Sequence, residues 1–159
     1  VRRIVSDAHL AWTDPAAFAP NQTMGEALLT PTKLYVKPVR ALHRASLRHA
    51  AAHITGGGLP GNLPRVLPNG LDAVLTAQWP VPPVFKWLAR TGNVANEEML
   101  RVFNCGVGMV LVTPKPDDVL AMLKEMGEPA TLIGHIAKAA NPTAKPDLRI
   151  KACPDFHAA

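Results

Sequence analysis

At 159 residues and 48% hydrophobic content, the chain is long enough for one domain with a real core and too apolar to be disordered. The net charge of +5 admits an anionic partner, but the basic residues are scattered rather than gathered in one block, and neither a zinc-finger spacing nor an aromatic-rich RNA-binding strand is present. A small anionic substrate accounts for the surplus, and nucleic acid is not expected. The two cysteines, Cys105 and Cys153, form no C-x-x-C pair, no apolar run reaches the roughly eighteen residues of a membrane span, and no secretory leader opens the chain. A reduced, cytoplasmic protein without membrane association is expected.

Val1 to Leu10 has a helical period, with Ile4, Val5 and Ala8 on one side. The chain does not open with Met, so a piece of a longer protein is expected. Asp14 to Gln22, rich in Pro, Ala and Asn, reads as a loop. Leu28 to Lys37 is expected to end as a strand, with Leu34 and Val36 alternating against Lys33, Tyr35 and Lys37. Pro38 suits a first helical position, and Val39 to Leu47 continues as a basic helix.

Ala50 to Thr55 reads as a strand, Leu59 to Val66 as a short helical turn, and Leu71 to Ala77 as a second strand. Val81 to Arg90 is a helix opened by prolines and closed near Gly92. Asn96 is expected to cap a helix that ends near Phe103, with Glu97 and Glu98 in its first turn. Val107 to Thr113, nearly all apolar, suggests a buried central strand. Pro116 to Met126 is a helix with Val119, Leu120 and Leu123 inward, stopped by Gly127. Thr131 to Ile136 is the last strand, and residues 138–159 read as a poorly structured tail. Alternating helices and strands imply an α/β (α+β) fold, a mixed sheet of about four to six strands covered by helices.

Four constellations could carry chemistry. In His53-Ile54-Thr55-Gly56-Gly57-Gly58, followed by Asn62 and Arg65, three glycines lead from a strand towards a helix. Backbone N–H groups at such a turn converge on a point that favours an anion. A plain strand-to-helix turn explains the glycines equally well. In Phe103-Asn104-Cys105-Gly106-Val107-Gly108-Met109 the glycines allow close approach of a ligand or of another backbone. Gly25 to Lys33 offers hydroxyls and an ammonium, or only loop caps. Trp79-Pro80-Val81-Pro82-Pro83 reads mainly as packing. His53 suits a strand end or core as well as a catalyst, and Cys105 suits a small buried hydrophobe better than a nucleophile. No Walker loop, no Gly-x-Ser-x-Gly elbow and no metal-ligand spacing occurs, so no metal site is expected in this chain.

Taken together and in order, Gly25–Thr32, Tyr35–Pro38, His53–Gly58, Asn62–Pro68, Trp79–Pro83 and Phe103–Met109 resemble the C-terminal half of the phosphoribosylformylglycinamidine cyclo-ligase (AIR synthetase) family of purine biosynthesis. The resemblance covers residues 1–137. It implies a C-terminal domain whose N-terminal ATP-binding half is absent from this sequence, and an enzyme that is a two-domain homodimer when whole.

The implied reaction is ATP-dependent closure of the imidazole ring of formylglycinamidine ribonucleotide, giving aminoimidazole ribonucleotide, with Mg²⁺ and ATP held largely by the other half. The fragment alone is then expected to be inactive. On this footing Gly56, Gly57 and Gly58 are expected to bind a phosphate with Asn62 and Arg65 in support. Asn104, Gly106 and Gly108 would line the neighbouring wall, and His53 and Lys33 are weaker candidates for acid–base help. A stand-alone phosphate-binding module without turnover, or another member of the same ATP-dependent superfamily, are the alternatives.

Overall fold

The computed structural model describes residues 1–158. Helices α1 (Arg2–Asp7) and α2 (Met24–Leu28) precede α3 (Val36–Arg44), and strand β1 (Ala50–His53) leads into α4 (Gly58–Asn62) and a 3-10 turn (Leu63–Val66). Then follow β2 (Leu71–Leu75), α5 (Pro83–Thr91), α6 (Asn96–Val102), β3 (Met109–Val112), α7 (Pro116–Glu125), β4 (Gly134–Lys138) and β5 (Leu148–Ile150).

The fold is mixed α+β, and its five strands fall within the expected number. They divide into two sheets, an antiparallel β1–β3 pair and a three-stranded sheet of order β4-β2-β5. In the second, β4 runs antiparallel and β5 parallel to β2. The main core joins both sheets to the helices: Ile54 beside β1, Leu75 from β2, Leu88 from α5, and Met99 and Leu100 from α6 are all buried in it.

Several elements follow directly from local chemistry. Helix α7 opens on Pro116 with Asp117 and Asp118 in its first turn, where carboxylates meet the positive helix end. It ends before Gly127, whose φ of +70° suits a residue without Cβ. Its Val119 and Leu123 are buried against Leu42 of α3, whereas Leu120 is only half-buried.

Four expectations are corrected. No strand forms over 28–37: that stretch holds the end of α2, a linker, and the start of α3 at Val36. Helix α2 is fixed by a capping box in which the Glu26 amide donates to Thr23 Oγ1 (3.3 Å) and the Thr23 amide donates to Glu26 Oε2 (2.8 Å). The Thr23 amide and the Thr23 hydroxyl, both donating to the carboxylate, hold the Glu26 carboxyl below its ordinary pKa.

Strand β3 is not central, since β1 is its only partner among the described residues. Its apolar run has another cause. Val110 faces the main core while Leu111 packs on the α3–α7 cluster, so both faces are covered without a second strand.

Asn96 does not cap α6. Ala95 occupies the N-cap position, and the Asn96 side chain instead accepts from the Phe156 amide (3.3 Å) and donates to Asp155 Oδ1 (3.4 Å).

The segment expected to be a loose tail is folded. Leu148–Ile150 pairs with β2, and Arg149 meets the largely buried Asp72 at 3.3 Å. The Asp147 amide also donates to Asp72 Oδ1 (3.1 Å), and Phe156 is fully buried in the main core. Its amphipathic spacing is too sparse to show in one dimension, because the parallel partner β2 lies some seventy-five residues earlier.

Candidate functional site

The antiparallel register sets the site. Ala50 pairs with Val112 and His53 with Met109, so the end of β1 and the start of β3 lie side by side. The Ile54 amide extends this ladder by donating to the Gly108 carbonyl (2.9 Å). The glycine turn leaving β1 and the Asn104–Gly108 turn entering β3 therefore emerge at the same sheet end. Two runs some fifty residues apart in sequence are brought together.

Within the glycine turn the three glycines differ. Gly58 is buried at φ +56°, and its amide donates to the Thr55 carbonyl (3.0 Å). A Cβ there would overlap the Leu100 carbonyl and lie 2.8 Å from the Phe103 carbonyl oxygen. Gly58 is thus needed for α4 to press against the end of α6, and it has no amide left for an anion.

Gly57 is left-handed at φ +94° and its Cβ direction is open to 3.5 Å, while Gly56 is exposed with nothing within 4 Å. Among the described residues the Gly56 and Gly57 amides have no acceptor within the chain. The cradle expected over three residues narrows to these two.

Asn62 holds the turn from beneath. It is buried, and its Nδ2 donates to the carbonyls of Gly58 (2.8 Å), Gly56 (3.2 Å) and Thr55 (3.4 Å). Those bonds tie three carbonyl oxygens of the turn to one buried side chain. Asn62 therefore shapes the turn. Arg65, in the 3-10 turn that follows, is exposed and has no ion pair or hydrogen bond among the described residues.

The second turn is mostly self-satisfied. Asn104 Oδ1 accepts from the Gly106 amide (3.1 Å), and the Asn104 carbonyl accepts from Val107 (2.9 Å). Gly106, at φ +95°, lets the turn lie on Pro80 and Pro82. The buried Trp79 indole donates to the Cys105 carbonyl (3.0 Å), which confirms the Trp-Pro segment as packing.

Cys105 is fully buried, and its thiol donates to the Met99 carbonyl (3.3 Å). Burial, assisted by the neighbouring Cys153 sulfur, pushes its pKa up to about 12. Because the folded pKa lies above the unfolded one, the thiol's contribution is intact below pH 9 and is lost as pH rises towards 12. We expect Cys105 to resist iodoacetamide at pH 8 in the native protein and to react on denaturation, as read by mass spectrometry of the alkylated peptide.

Tyr35 is a site residue that the sequence did not single out. Its ring stands edge-on to the His53 imidazole, with centroids 5.8 Å apart. A Cβ on Gly108 would lie 2.9 Å from Tyr35 Cζ. Tyr35 thus covers both strands at the site end, and Gly108 is glycine to admit it. The available signal was its place in the Tyr35–Pro38 run, where an aromatic interrupts a basic stretch. Exposed His53 stands beside the turn with this ring as its neighbour. Lys33 is not brought to the glycines: it is ion-paired with Glu128, beyond the end of α7.

Among the described residues there is no group of three or more His, Cys, Asp or Glu that could hold a metal ion. No described helix is long and apolar enough to cross a membrane. Two open grooves of about 470 Å³ each are lined by α1, α2 and the loop between them, and include none of the site residues named above. His53, Gly56 and Arg65 are exposed, so the candidate site is an open sheet end.

An α+β domain with a left-handed glycine turn, a buried Asn clamp and a second glycine turn alongside is the class these features define. A family model described as AIR synthase related protein, C-terminal domain, matches residues 1–145, and the chain belongs to that family. The wider superfamily includes ATP-dependent enzymes. Phe156 and strand β5 lie beyond the matched residues.

Proposed function

We propose that the chain is the substrate-side half of the ATP-dependent ligase that closes formylglycinamidine ribonucleotide to aminoimidazole ribonucleotide in purine biosynthesis. The observation that carries this reading is the convergence of the His53–Gly58 and Phe103–Met109 runs, two of the ordered family motifs, on one sheet end. Among the described residues the Gly56 and Gly57 amides have no acceptor and suit a phosphate oxygen, and Arg65 in the following turn has no ion pair.

ATP supplies activation of the formyl oxygen. This chain's residues hold the ribonucleotide so that its amidine nitrogen and formyl carbon meet, an effect of position rather than of a nucleophilic side chain. His53 is exposed beside the turn and suits proton transfer there. Lys33, tied to Glu128, would have to leave that ion pair to take part.

The open site suits completion by another half of the enzyme. Leu34 and Val36, on either side of Tyr35, are 79% and 61% exposed, and Leu29 at the end of α2 is 81% exposed. We assign this edge to the ATP-binding half, with homodimerisation of the whole enzyme.

The test is an assay for aminoimidazole ribonucleotide with ATP, Mg²⁺ and formylglycinamidine ribonucleotide. Turnover is expected when the chain is joined to an ATP-binding half and none with the chain alone. No product from the joined protein, with both halves folded, contradicts the reading.

A further inference from the structure

The basic residues that look scattered along the sequence are unevenly placed in a way that bears on the site. Between Ala27 and Leu71 there are six Lys or Arg residues and no Asp or Glu, so this stretch carries +6 and the rest of the chain −1. The stretch contains Tyr35, His53 and the whole glycine turn.

Helix α3 turns three of these charges into a row. At about 100° per residue, Lys37, Arg40 and Arg44 fall within one narrow arc, opposite in sense to buried Pro38 and Leu42. All three are exposed and have no ion pair among the described residues. Arg48, past the closing turn, adds a fourth cation whose Nε is buried without an acceptor.

The row starts at the site. Tyr35, at the N-cap of α3, is the residue whose ring touches His53 and Gly108. Nine residues of helix span about 13 Å, close to one Debye length at 0.1 M salt and well inside the roughly 30 Å length at 0.01 M. The packed helix α7 brings Asp117, Asp118 and Glu125 together with Lys124, which tempers the field without pairing with the row.

We infer that the Lys37–Arg40–Arg44 face of α3 is an electrostatic guide that draws multiply charged phosphate ligands towards the glycine turn. The inference rests on the proposed phosphate site. A guide of this kind raises the rate of encounter and leaves the rate of departure to the contacts at the turn.

The experiment is stopped-flow association of formylglycinamidine ribonucleotide with the chain across ionic strength, for wild type, for the combined Lys37→Gln, Arg40→Gln, Arg44→Gln variant, and for a charge-matched control with Arg2→Gln, Lys145→Gln and Lys151→Gln. At 0.01 M salt the α3 variant is expected to associate about fivefold more slowly or worse, with koff within about twofold of wild type and the difference vanishing at 0.5 M. The control should keep the wild-type rate.

Equal association rates for wild type and the α3 variant would overturn the guide while leaving the phosphate site standing. An equal loss in the control would reduce the effect to net charge and overturn it too. A loss confined to koff would make these residues direct contacts rather than a guide. Failure of wild type to bind the ribonucleotide would remove the site itself, and the guide with it.

Discussion

Gly58→Val should lower stability by about 4 kcal/mol, combining overpacking of about 3 kcal/mol with a left-handed backbone cost of about 1–2 kcal/mol for a residue with a Cβ. The added atoms meet the Leu100 and Phe103 carbonyls, which belong to the backbone of α6 and its C-cap and cannot rotate away. At this chain length the melting temperature should fall by about 8–16 °C. The adjacent Gly56→Val is the informative contrast. Gly56 is exposed, has no atoms within 4 Å of its Cβ position and is not left-handed, so its stability should change by no more than about 0.5 kcal/mol. Thermal denaturation of the two variants side by side reads both effects. Equal melting temperatures would contradict the division of the turn into a packing glycine and a surface glycine.

Phe156→Ala should cost about 3–5 kcal/mol, the range for emptying a fully buried aromatic site. The side chain lies in the same core as Leu59, Leu100 and Cys105. The last residues are also fastened at the surface. Arg90 donates to the Ala158 carbonyl, His157 lies 2.9 Å from the Val94 carbonyl, and Asn96 holds Asp155 and Phe156. Urea denaturation of the variant gives the difference directly. A loss below about 1 kcal/mol would mean that the C-terminal segment rests on the domain without completing its core.

Much of the fold was legible because its signals are local. The prolines before α5 and the acids and closing glycine of α7 act within a few residues, and both elements lie near their expected places. The 28–37 stretch was misread for a physical reason. Leu34 and Val36 alternate with polar neighbours as a half-buried strand does, yet both are exposed, and nothing in a one-dimensional pattern separates an apolar residue facing a core from one left uncovered. The Thr23–Glu26 capping signature was available and would have marked α2.

The site was legible in its parts and not in its division of labour. The glycine runs were visible, but only the register of β1 on β3 places them together. That Gly58, Gly106 and Gly108 serve close approach, while Gly56 and Gly57 keep open amides, depends on α6, on the Pro80–Pro82 segment and on Tyr35, none of them adjacent in sequence. Asn62 reads as a polar ligand residue in the sequence and is a buried clamp in the fold.

The central claim is that the sheet end formed by the glycine turn and its neighbour binds phosphate through backbone amides. Amide NMR during titration with formylglycinamidine ribonucleotide tests it most directly. The account predicts saturable shifts at Gly56 and Gly57, smaller ones at His53 and Arg65, and loss of saturation in Gly56→Val without a change in fold. Saturable shifts elsewhere, with the Gly56 and Gly57 amides unmoved, would contradict it.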